Sequence, residues 1–295
     1  MRKALFLLLF PLSLPAFSQR ITGKITDTAG NPVEYVNVGV ENSQTGIISD
    51  ENGRFSLVIP ESLDSANLYV SHISYETKLI PLAELRQHGN TPFAIQLNVR
   101  AFDIPEILVR AGRPRYRRVD ATRISMIYPG FWTVYKNEQS IPSEIGETAS
   151  VSDFLRESGT ILSIKNSMTI EKLNFHINSA SDSLLVRINV YALSDSVFTP
   201  LHVRPFYVMI TPTRRGESYE VDLSEGVIVA PVGKIVVGIQ QIRAYGDITV
   251  IGVPVRRGEA YHRTASSYTS FTQDNIFGSE NIYIDMSVFG RLLPQ

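Results

Sequence analysis

Short runs of Val, Ile and Tyr, separated by Gly, Asn, Asp and Pro, dominate the chain from Ile21 onward. Stretches with the 3.6-residue apolar period of a helix are few and short. Alternating or continuous apolar runs bounded by turn residues are typical of β-strands. The sequence therefore predicts an all-β protein.

The N-terminal part has the strand density of a small β-sandwich, with six or seven short strands in about 80 residues. The predicted strands are 21–26, 33–40, 46–49, 54–59, 68–74 and 93–97, with a turn at 29–32 and a single helical turn at 81–87. Within 33–40, Val36, Val38 and Val40 are expected to face the core. The alternate residues of that strand are expected to be partly exposed.

The C-terminal part predicts a second, larger β-sandwich of jelly-roll type, with eight or so strands. Its clearest strands are 168–177, 184–193, 203–211, 219–223, 227–240 and 248–255. A short helix is predicted at 150–159, where Ser150 and Asp153 have capping-box spacing.

Arginines cluster around Gly112 and Pro114, between the two predicted sandwiches. A basic run interrupted by Gly and Pro favours a solvated linker, and the alternative is a site for an anionic partner. The predicted boundaries are thus 19–98 for the first domain, 99–122 for a linker with one short strand, and 123–295 for the second domain.

The first 18 residues have the pattern of a cleavable secretory signal: a basic start, an apolar run and small residues before Gln19. A membrane anchor is the alternative, but Pro11 and Pro15 interrupt the run, which is shorter than the roughly 20 residues that span a bilayer. We therefore expect an exported protein with no transmembrane span after signal removal.

Charge and cysteine content narrow the classes of function. The full chain has 28 basic and 29 acidic residues, and signal removal takes away Arg2 and Lys3 but no acidic residue. The mature chain is therefore slightly acidic, and nucleic-acid binding is not expected. The chain has no cysteine, which excludes disulfides, thiolate metal sites, a cysteine nucleophile and a lipid-anchored cysteine.

An acidic segment, Asp50-Glu51-Asn52-Gly53, resembles a calcium loop at first sight. An EF-hand loop has its glycine at position six, and counting back from Gly53 puts Ile48 where a carboxylate is required. The pattern instead predicts a type I turn followed by a left-handed glycine. The residues of this structural turn are Gly46, Asp50, Asn52, Gly53 and Phe55.

Three ordered pieces of the N-terminal part carry a family resemblance: 21–25 (ITGKI), 30–38 (GNPVEYVNV) and 46–55 (GIISDENGRF). Together they resemble the carboxypeptidase-like regulatory domain, a transthyretin-like, carbohydrate-binding-like sandwich of seven strands, over about residues 20–98. Ser74-Tyr75 departs from the Gly-Tyr usual in that family.

The segment 102–109 (FDIPEILV) is similar to the short strand that follows this domain in outer-membrane TonB-dependent transporters. The remaining residues are too few for a large transporter barrel, so none is expected. The resemblance implies an envelope protein in the periplasm, at the outer membrane or on the surface of a Gram-negative bacterium.

Catalytic motifs are missing from the sequence. None of the five histidines has the spacing of a zinc carboxypeptidase or an HExxH helix, and no GxSxG, SxxK, Walker A or GxGxxG motif occurs. We expect no metal and no cofactor, and we expect His72 and His176 to be structural. A glycan-active hydrolase with carboxylates in the C-terminal part remains the alternative; its candidates are Asp182, Asp195, Asp222 and Glu225.

Two aromatic groups are candidate ligand-binding surfaces, since sugars stack on aromatic faces. The first consists of Tyr128, Phe131, Trp132 and Tyr135, and the second of Tyr261, Tyr268 and Phe271. Alternatively, Trp132 fills the core between the domains. The prediction is a non-catalytic exported module that binds a glycan or docks on an outer-membrane protein.

Overall fold

The computed structural model describes residues 18–43, 45–63, 65–87, 91–101, 115–121, 128–142, 156–257, 260–264 and 282–294. The predicted signal up to residue 17, the segment 102–109, and Tyr268 and Phe271 lie outside these ranges. Ser18, the last residue assigned to the signal, is the first residue of the first strand.

Residues 18–101, here called the N-terminal sandwich, contain seven strands in their described part, as predicted. They are β1 (Ser18–Asp27), β2 (Asn37–Val40), β3 (Gly46–Ile48), β4 (Arg54–Pro60), β5 (Asn67–Ser71), β6 (Lys78–Pro81) and β7 (Phe93–Leu97). Helix α1 (Leu82–Gln87) occupies the predicted helical turn, and Glu61–Leu63 forms a 3-10 turn.

The seven strands form two sheets with an apolar core. One sheet has the order β4-β1-β7, with β7 parallel to β1, and the other has the order β3-β2-β5-β6. Ile25 and Ile59 from the first sheet and Val38 and Leu68 from the second are fully buried in one cluster. The all-β class and the sandwich architecture are confirmed.

The strand predicted at 33–40 begins only at Asn37, and Tyr35 before it has a left-handed φ of 50°. The expectation that the alternate face of this strand is partly exposed is correct for Tyr35 but wrong for Asn37 and Gly39, because residues 36–40 are all buried. The second face is covered by the C-terminal half of the chain, where Gln240 donates a hydrogen bond to the Asn37 side chain. Alternation within one strand could not reveal this second contact.

Residues 115–294, here called the C-terminal sandwich, contain sixteen strands in their described part, about twice the number predicted. They are β8 (Tyr116–Asp120), β9 (Tyr128–Tyr135), β10 (Arg156–Ile164), β11 (Met168–Ile170), β12 (Lys172–Ile177), β13 (Ser179–Ala180), β14 (Leu184–Ser194), β15 (Val197–Pro200), β16 (Phe206–Ile210), β17 (Glu217–Asp222), β18 (Ile228–Ala230), β19 (Gly233–Ala244), β20 (Ile248–Arg257), β21 (Ala260–Thr264), β22 (Ile282–Ile284) and β23 (Met286–Arg291). Short 3-10 turns lie at Glu138–Ser140 and Ser224–Gly226.

A six-stranded sheet organises this half. Its order is β15-β14-β19-β10-β21, with β16 also paired to β14. It shares one apolar core with a sheet of order β17-β12-β23-β8 and with a sheet in which β20 pairs with β9, β13 and β22. Strands β11 and β18 pair separately.

The helix predicted at 150–159 is wrong for 156–159, which begin β10. This strand lies in the middle of its sheet, paired with β19 on one side and β21 on the other. Pairing on both edges overrides the local capping signal, whose first residues, 150–155, lie outside the described ranges. Strand β8, inside the predicted linker, pairs with β23, while the predicted domain boundaries themselves stay a prediction.

The acidic turn places Asp50 so that its Oδ1 accepts the N–H groups of Asn52 at 2.9 Å and Arg54 at 2.7 Å. Gly53 follows with φ 71°, and its N–H donates to the Asp50 carbonyl oxygen at 3.0 Å. Gly46 lies in β3 opposite Gly39, and Phe55 is buried in the core. The carboxylate of Asp50 is therefore occupied by backbone N–H groups of its own loop.

We expect Gly53→Ala to destabilise the fold more than Gly30→Ala. Both glycines have left-handed φ, 71° and 85°, so each alanine carries a backbone cost of about 1–2 kcal/mol. A Cβ on Gly53 would also collide with the carbonyl oxygens of Ile25 and Val33, whereas a Cβ on Gly30 meets nothing within 4 Å. Overpacking of this kind costs about 1–3 kcal/mol more.

Urea unfolding of the two variants measures this difference. Gly30→Ala is the matched control, because it has the same backbone strain without the collision. Equal losses of unfolding free energy in the two variants would contradict the packing of Gly53 against β1.

Candidate functional site

Polar side chains cross the six-stranded sheet in one row, on the side that faces the N-terminal sandwich. Arg187 of β14 lies opposite Gln240 of β19, Gln240 lies opposite Glu157 of β10, and Glu157 lies opposite Arg263 of β21. A register shift at Leu185 sets Arg187 opposite Gln240 instead of Gln241. We call Arg187, Gln240, Glu157 and Arg263 the polar row.

Alternation along β14 explains how charged residues come to lie inside the molecule. Its Leu184, Val186, Ile188 and Val190 enter the apolar core of the C-terminal sandwich. The residues between them, Arg187 and Asn189, have 1% exposure each because the N-terminal sandwich covers that face. The strand therefore has an apolar core on one side and a buried polar layer on the other.

Hydrogen bonds join the polar row to both sandwiches. Arg187 donates from Nε and Nη2 to Gln240 Oε1 at 3.1 and 2.7 Å, and from Nη1 to the Tyr35 carbonyl oxygen at 3.1 Å. Gln240 in turn donates from Nε2 to Asn37 Oδ1 at 3.1 Å. Since Tyr35 and Asn37 belong to the N-terminal sandwich, the row bonds one sandwich to the other.

Glu157 is the carboxylate of the row, with no exposed surface. Its Oε2 accepts from Arg263 Nε at 2.7 Å, and its Oε1 accepts from Asn189 Nδ2 at 2.9 Å and from the Tyr191 hydroxyl at 3.1 Å. A Cβ on Gly238 would collide with this carboxyl group. The glycine thus leaves the space in which a fully hydrogen-bonded buried carboxylate can lie.

A cavity of about 440 Å³ lies between the two sandwiches beside the polar row. This volume is within the range typical of small-molecule sites, about 300–1,000 Å³. We call this cavity the inter-sandwich pocket. It is lined by Asn37, Tyr69, Ser71, His72, Ile73, Thr77 and Arg100 of the N-terminal sandwich, and by Arg187, Asn189, Tyr191, Ser196, Val197, Phe198, Pro200 and Arg263 of the C-terminal sandwich.

Aromatic rings form part of the pocket wall. Phe198 of β15 makes edge-to-face contacts with Tyr191 and with Tyr261, at centroid distances of 6.3 and 4.9 Å. The hairpin that presents Phe198 turns through Asp195 and Ser196, both with left-handed φ. Tyr69 of β5 lies on the opposite wall.

Two buried polar atoms at this pocket have no hydrogen-bond partner among the residues that the structure describes. His72 Nδ1 accepts the Ser74 N–H at 3.2 Å, so the neutral ring carries its proton on Nε2, which is unpartnered. Asn189 Oδ1 is an unpartnered acceptor, since only its Nδ2 is bonded. Buried polar groups are normally paired, so a donor and an acceptor here are left for a ligand or for water.

Burial keeps two histidines near the pocket neutral. The pKa of His72 lies well below its usual range because burial, and then the positive charges of Arg187 and Arg100, disfavour the imidazolium form. Burial likewise lowers the pKa of His202 to about 4. His202 accepts the Val190 N–H at Nε2 and donates from Nδ1 to the Arg204 carbonyl oxygen, which are the bonds of a neutral ring.

The first aromatic group from the sequence lies on β9, away from the inter-sandwich pocket. Successive side chains of a strand point to opposite faces, so Phe131 and Trp132 do not form one surface. Phe131 is 61% exposed, Trp132 packs partly against the core, and Tyr135 is buried. Tyr128 begins the same strand.

Of the second aromatic group, Tyr261 lies on β21 and contacts Phe198 behind the pocket wall. The four carboxylates named for the hydrolase hypothesis, Asp182, Asp195, Asp222 and Glu225, are not among the residues that line the pocket.

Sequence reasoning missed the polar row, whose only signals are single polar residues within apolar runs, as in 184–193 (LLVRINVYAL).

Within the described ranges, no three His, Asp or Glu residues are placed to hold a metal ion. No helix in the same ranges is long and apolar enough to cross a membrane.

Comparison with known proteins identifies the N-terminal region. Residues 21–109 match the family model of the CarboxypepD_reg-like domain, which confirms the resemblance seen in the sequence. A stretch of 99 residues is 36% identical to the TonB-dependent receptor SusC of Bacteroides thetaiotaomicron. That stretch covers 33% of this chain and 8% of the receptor.

Solved structures that align with most of this chain include structures of infectious bursal disease virus. The Gt strain structure is 12% identical with a TM-score of 0.26, over 94% of this chain and 60% of the viral chain. The T13 particle of the same virus is 10% identical with a TM-score of 0.28, over 94% and 63%. Superposition at these scores is too poor to support an argument.

Acidification is expected to weaken the fold through His202. Its folded-state pKa of about 4 lies below the usual 6.5, so between these values the unfolded chain binds a proton that the folded chain does not. Stability from this group is present above about pH 6.5 and falls, by on the order of 3 kcal/mol, as the pH approaches about 4. His72 acts in the same direction.

Urea unfolding of the wild type and of His202→Gln, from about pH 7 to about pH 4.5, measures this contribution. The variant loses stability through its missing hydrogen bonds, but its unfolding free energy declines less steeply with acid. Parallel pH curves for the two proteins would contradict a buried neutral His202.

Proposed function

We propose that this chain is a non-catalytic binding module of the bacterial envelope and that its ligand, a glycan, occupies the inter-sandwich pocket. The observation that carries the proposal is a cavity walled by both sandwiches, in which aromatic rings lie beside an unpartnered donor and an unpartnered acceptor. A small number of precisely placed polar groups, in a wall that also contains aromatic residues, is typical of ligand sites.

The chemistry of the wall suits a sugar. Pyranose rings stack their C–H faces on aromatic side chains, and the partly exposed rings of Phe198 and Tyr69 offer such surfaces. A sugar hydroxyl both donates and accepts, so one ring can accept from His72 Nε2–H and donate to Asn189 Oδ1. Ser71 and Thr77 add two further hydroxyl groups to the lining.

The same wall does not support glycoside hydrolysis. Glycosidases of the usual kind need two carboxylates about 5–10 Å apart across the scissile bond. The part of the lining that the structure describes includes no Asp or Glu, and the nearby Glu157 already accepts hydrogen bonds from Arg263, Asn189 and Tyr191. Binding therefore fits the residues present better than hydrolysis does.

The comparisons support an envelope setting. The matched regulatory-like domain is a non-catalytic sandwich, and a relative that is 36% identical over 99 residues is named as a TonB-dependent receptor. We accordingly place the protein in the periplasm or at the outer membrane, and docking on an outer-membrane partner is the competing form of the proposal.

Glycan-array and calorimetric binding with the purified chain from Gln19 onward tests the proposal. Phe198→Ala is expected to weaken glycan affinity roughly two- to tenfold, since an aromatic contact contributes about 0.5–1.5 kcal/mol. Phe131→Ala is the matched control, because Phe131 is exposed on β9 and does not line the pocket.

Loss of binding in Trp132→Ala or Phe131→Ala but not in Phe198→Ala would place the site on β9 and overturn the proposal. Absence of glycan binding together with co-purification of a membrane complex would favour the docking alternative.

A further inference from the structure

The inter-sandwich pocket has an excess of positive charge. Among the described residues that line it, three are arginines, Arg100, Arg187 and Arg263, and none is acidic. Glu157, directly behind the wall, pairs with Arg263. The remaining two guanidinium groups are therefore not neutralised by the carboxylate at this site.

Arg187 is the more unusual of the two, because it is 1% exposed. Its three hydrogen bonds go to the neutral oxygens of Gln240 and Tyr35, and no carboxylate of the described residues lies within ion-pair distance of it. Burial of a charge without a counter-charge is costly. A fold that holds such a cation at the wall of a cavity is suited to an anion inside the cavity.

The guanidinium groups of Arg187 and Arg100 have N–H donors that the hydrogen bonds of the fold do not use. A guanidinium carries five N–H groups, of which Arg187 uses three. Arg100, half-buried at the other side of the pocket, uses Nε and Nη2 on the Tyr75 carbonyl oxygen. Both arginines lie near His72, whose pKa they help to lower, so they border the same part of the cavity.

We propose that the ligand of the inter-sandwich pocket is a sugar bearing an oxyanion group, which lies between Arg187 and Arg100. This inference rests on the proposed function and specifies its ligand class. Carboxylate, sulfate and phosphate share the geometry that guanidinium groups bind through charge-assisted hydrogen bonds. Neutral His72 donates to the ligand without adding a titrating charge near neutral pH.

Calorimetric titration with D-glucuronate, glucose 6-phosphate and glucose tests the charge requirement. Both anionic sugars, or one of them, are expected to bind at least about tenfold more tightly than glucose, since a hydrogen bond to a charged group contributes more than a neutral one. A preference between the two anions identifies the carboxylate or the phosphate as the natural group.

The variant Arg100→Gln is expected to remove most of this preference, because the anionic sugars lose a charged donor that glucose does not need. Arg187→Lys retains the charge but loses the planar donor set, and it is expected to weaken anion binding at least about tenfold. Arg243→Gln is the matched control: this arginine also bridges the two sandwiches, through Glu51 at 2.6 Å, but does not line the pocket.

Thermal unfolding of each variant separates a binding defect from a folding defect. Glucose binding as tight as that of both anions would overturn the oxyanion inference while leaving the proposed glycan function intact. No binding of any of the three sugars would overturn the inference, and an empty glycan array would overturn the proposed function as well.

Discussion

The buried guanidinium of Arg187 is the constraint around which the rest of this structure is arranged. It holds Gln240 within the six-stranded sheet and the Tyr35 carbonyl oxygen in the other sandwich. Removal of one partner from such a network leaves a buried charge without compensation, which costs several kcal/mol in typical proteins. The polar row thus contributes directly to the relative position of the two sandwiches and to the shape of the cavity between them.

Apolar packing supports this layer from both sides. Ile48 of β3 belongs to the core of the C-terminal sandwich, and Tyr35 contacts Tyr207 edge to face at 5.3 Å. The Ser74 hydroxyl donates to the Val203 carbonyl oxygen across the same boundary. The contact between the two sandwiches is therefore partly polar and partly apolar. It covers the second face of β2, so this strand is buried on both faces although only one face of its sequence is clearly apolar.

Local signals in the sequence were sufficient for some of the elements but not for their assembly. The turn at Gly53, helix α1 and the long strands β14 and β20 follow from nearby residues, because turn chemistry and apolar alternation act within a few positions. The start of strand β10 does not follow from nearby residues, since it is decided by pairing with β19 and β21. The polar row combines residues from 157 to 263, and such cross-strand neighbours leave no local pattern.

Burial of the charged groups in the polar row costs desolvation free energy. The stability of the fold alone does not explain why these groups are present. An apolar row at positions 187, 240, 157 and 263 would join two sandwiches without desolvating three charged groups, and such replacements are often neutral or stabilising. Glu157 and Arg263 compensate each other, but Arg187 has only neutral acceptors among the described residues. A cation kept in that state beside an open cavity is better explained by what the cavity binds than by the fold it helps to hold.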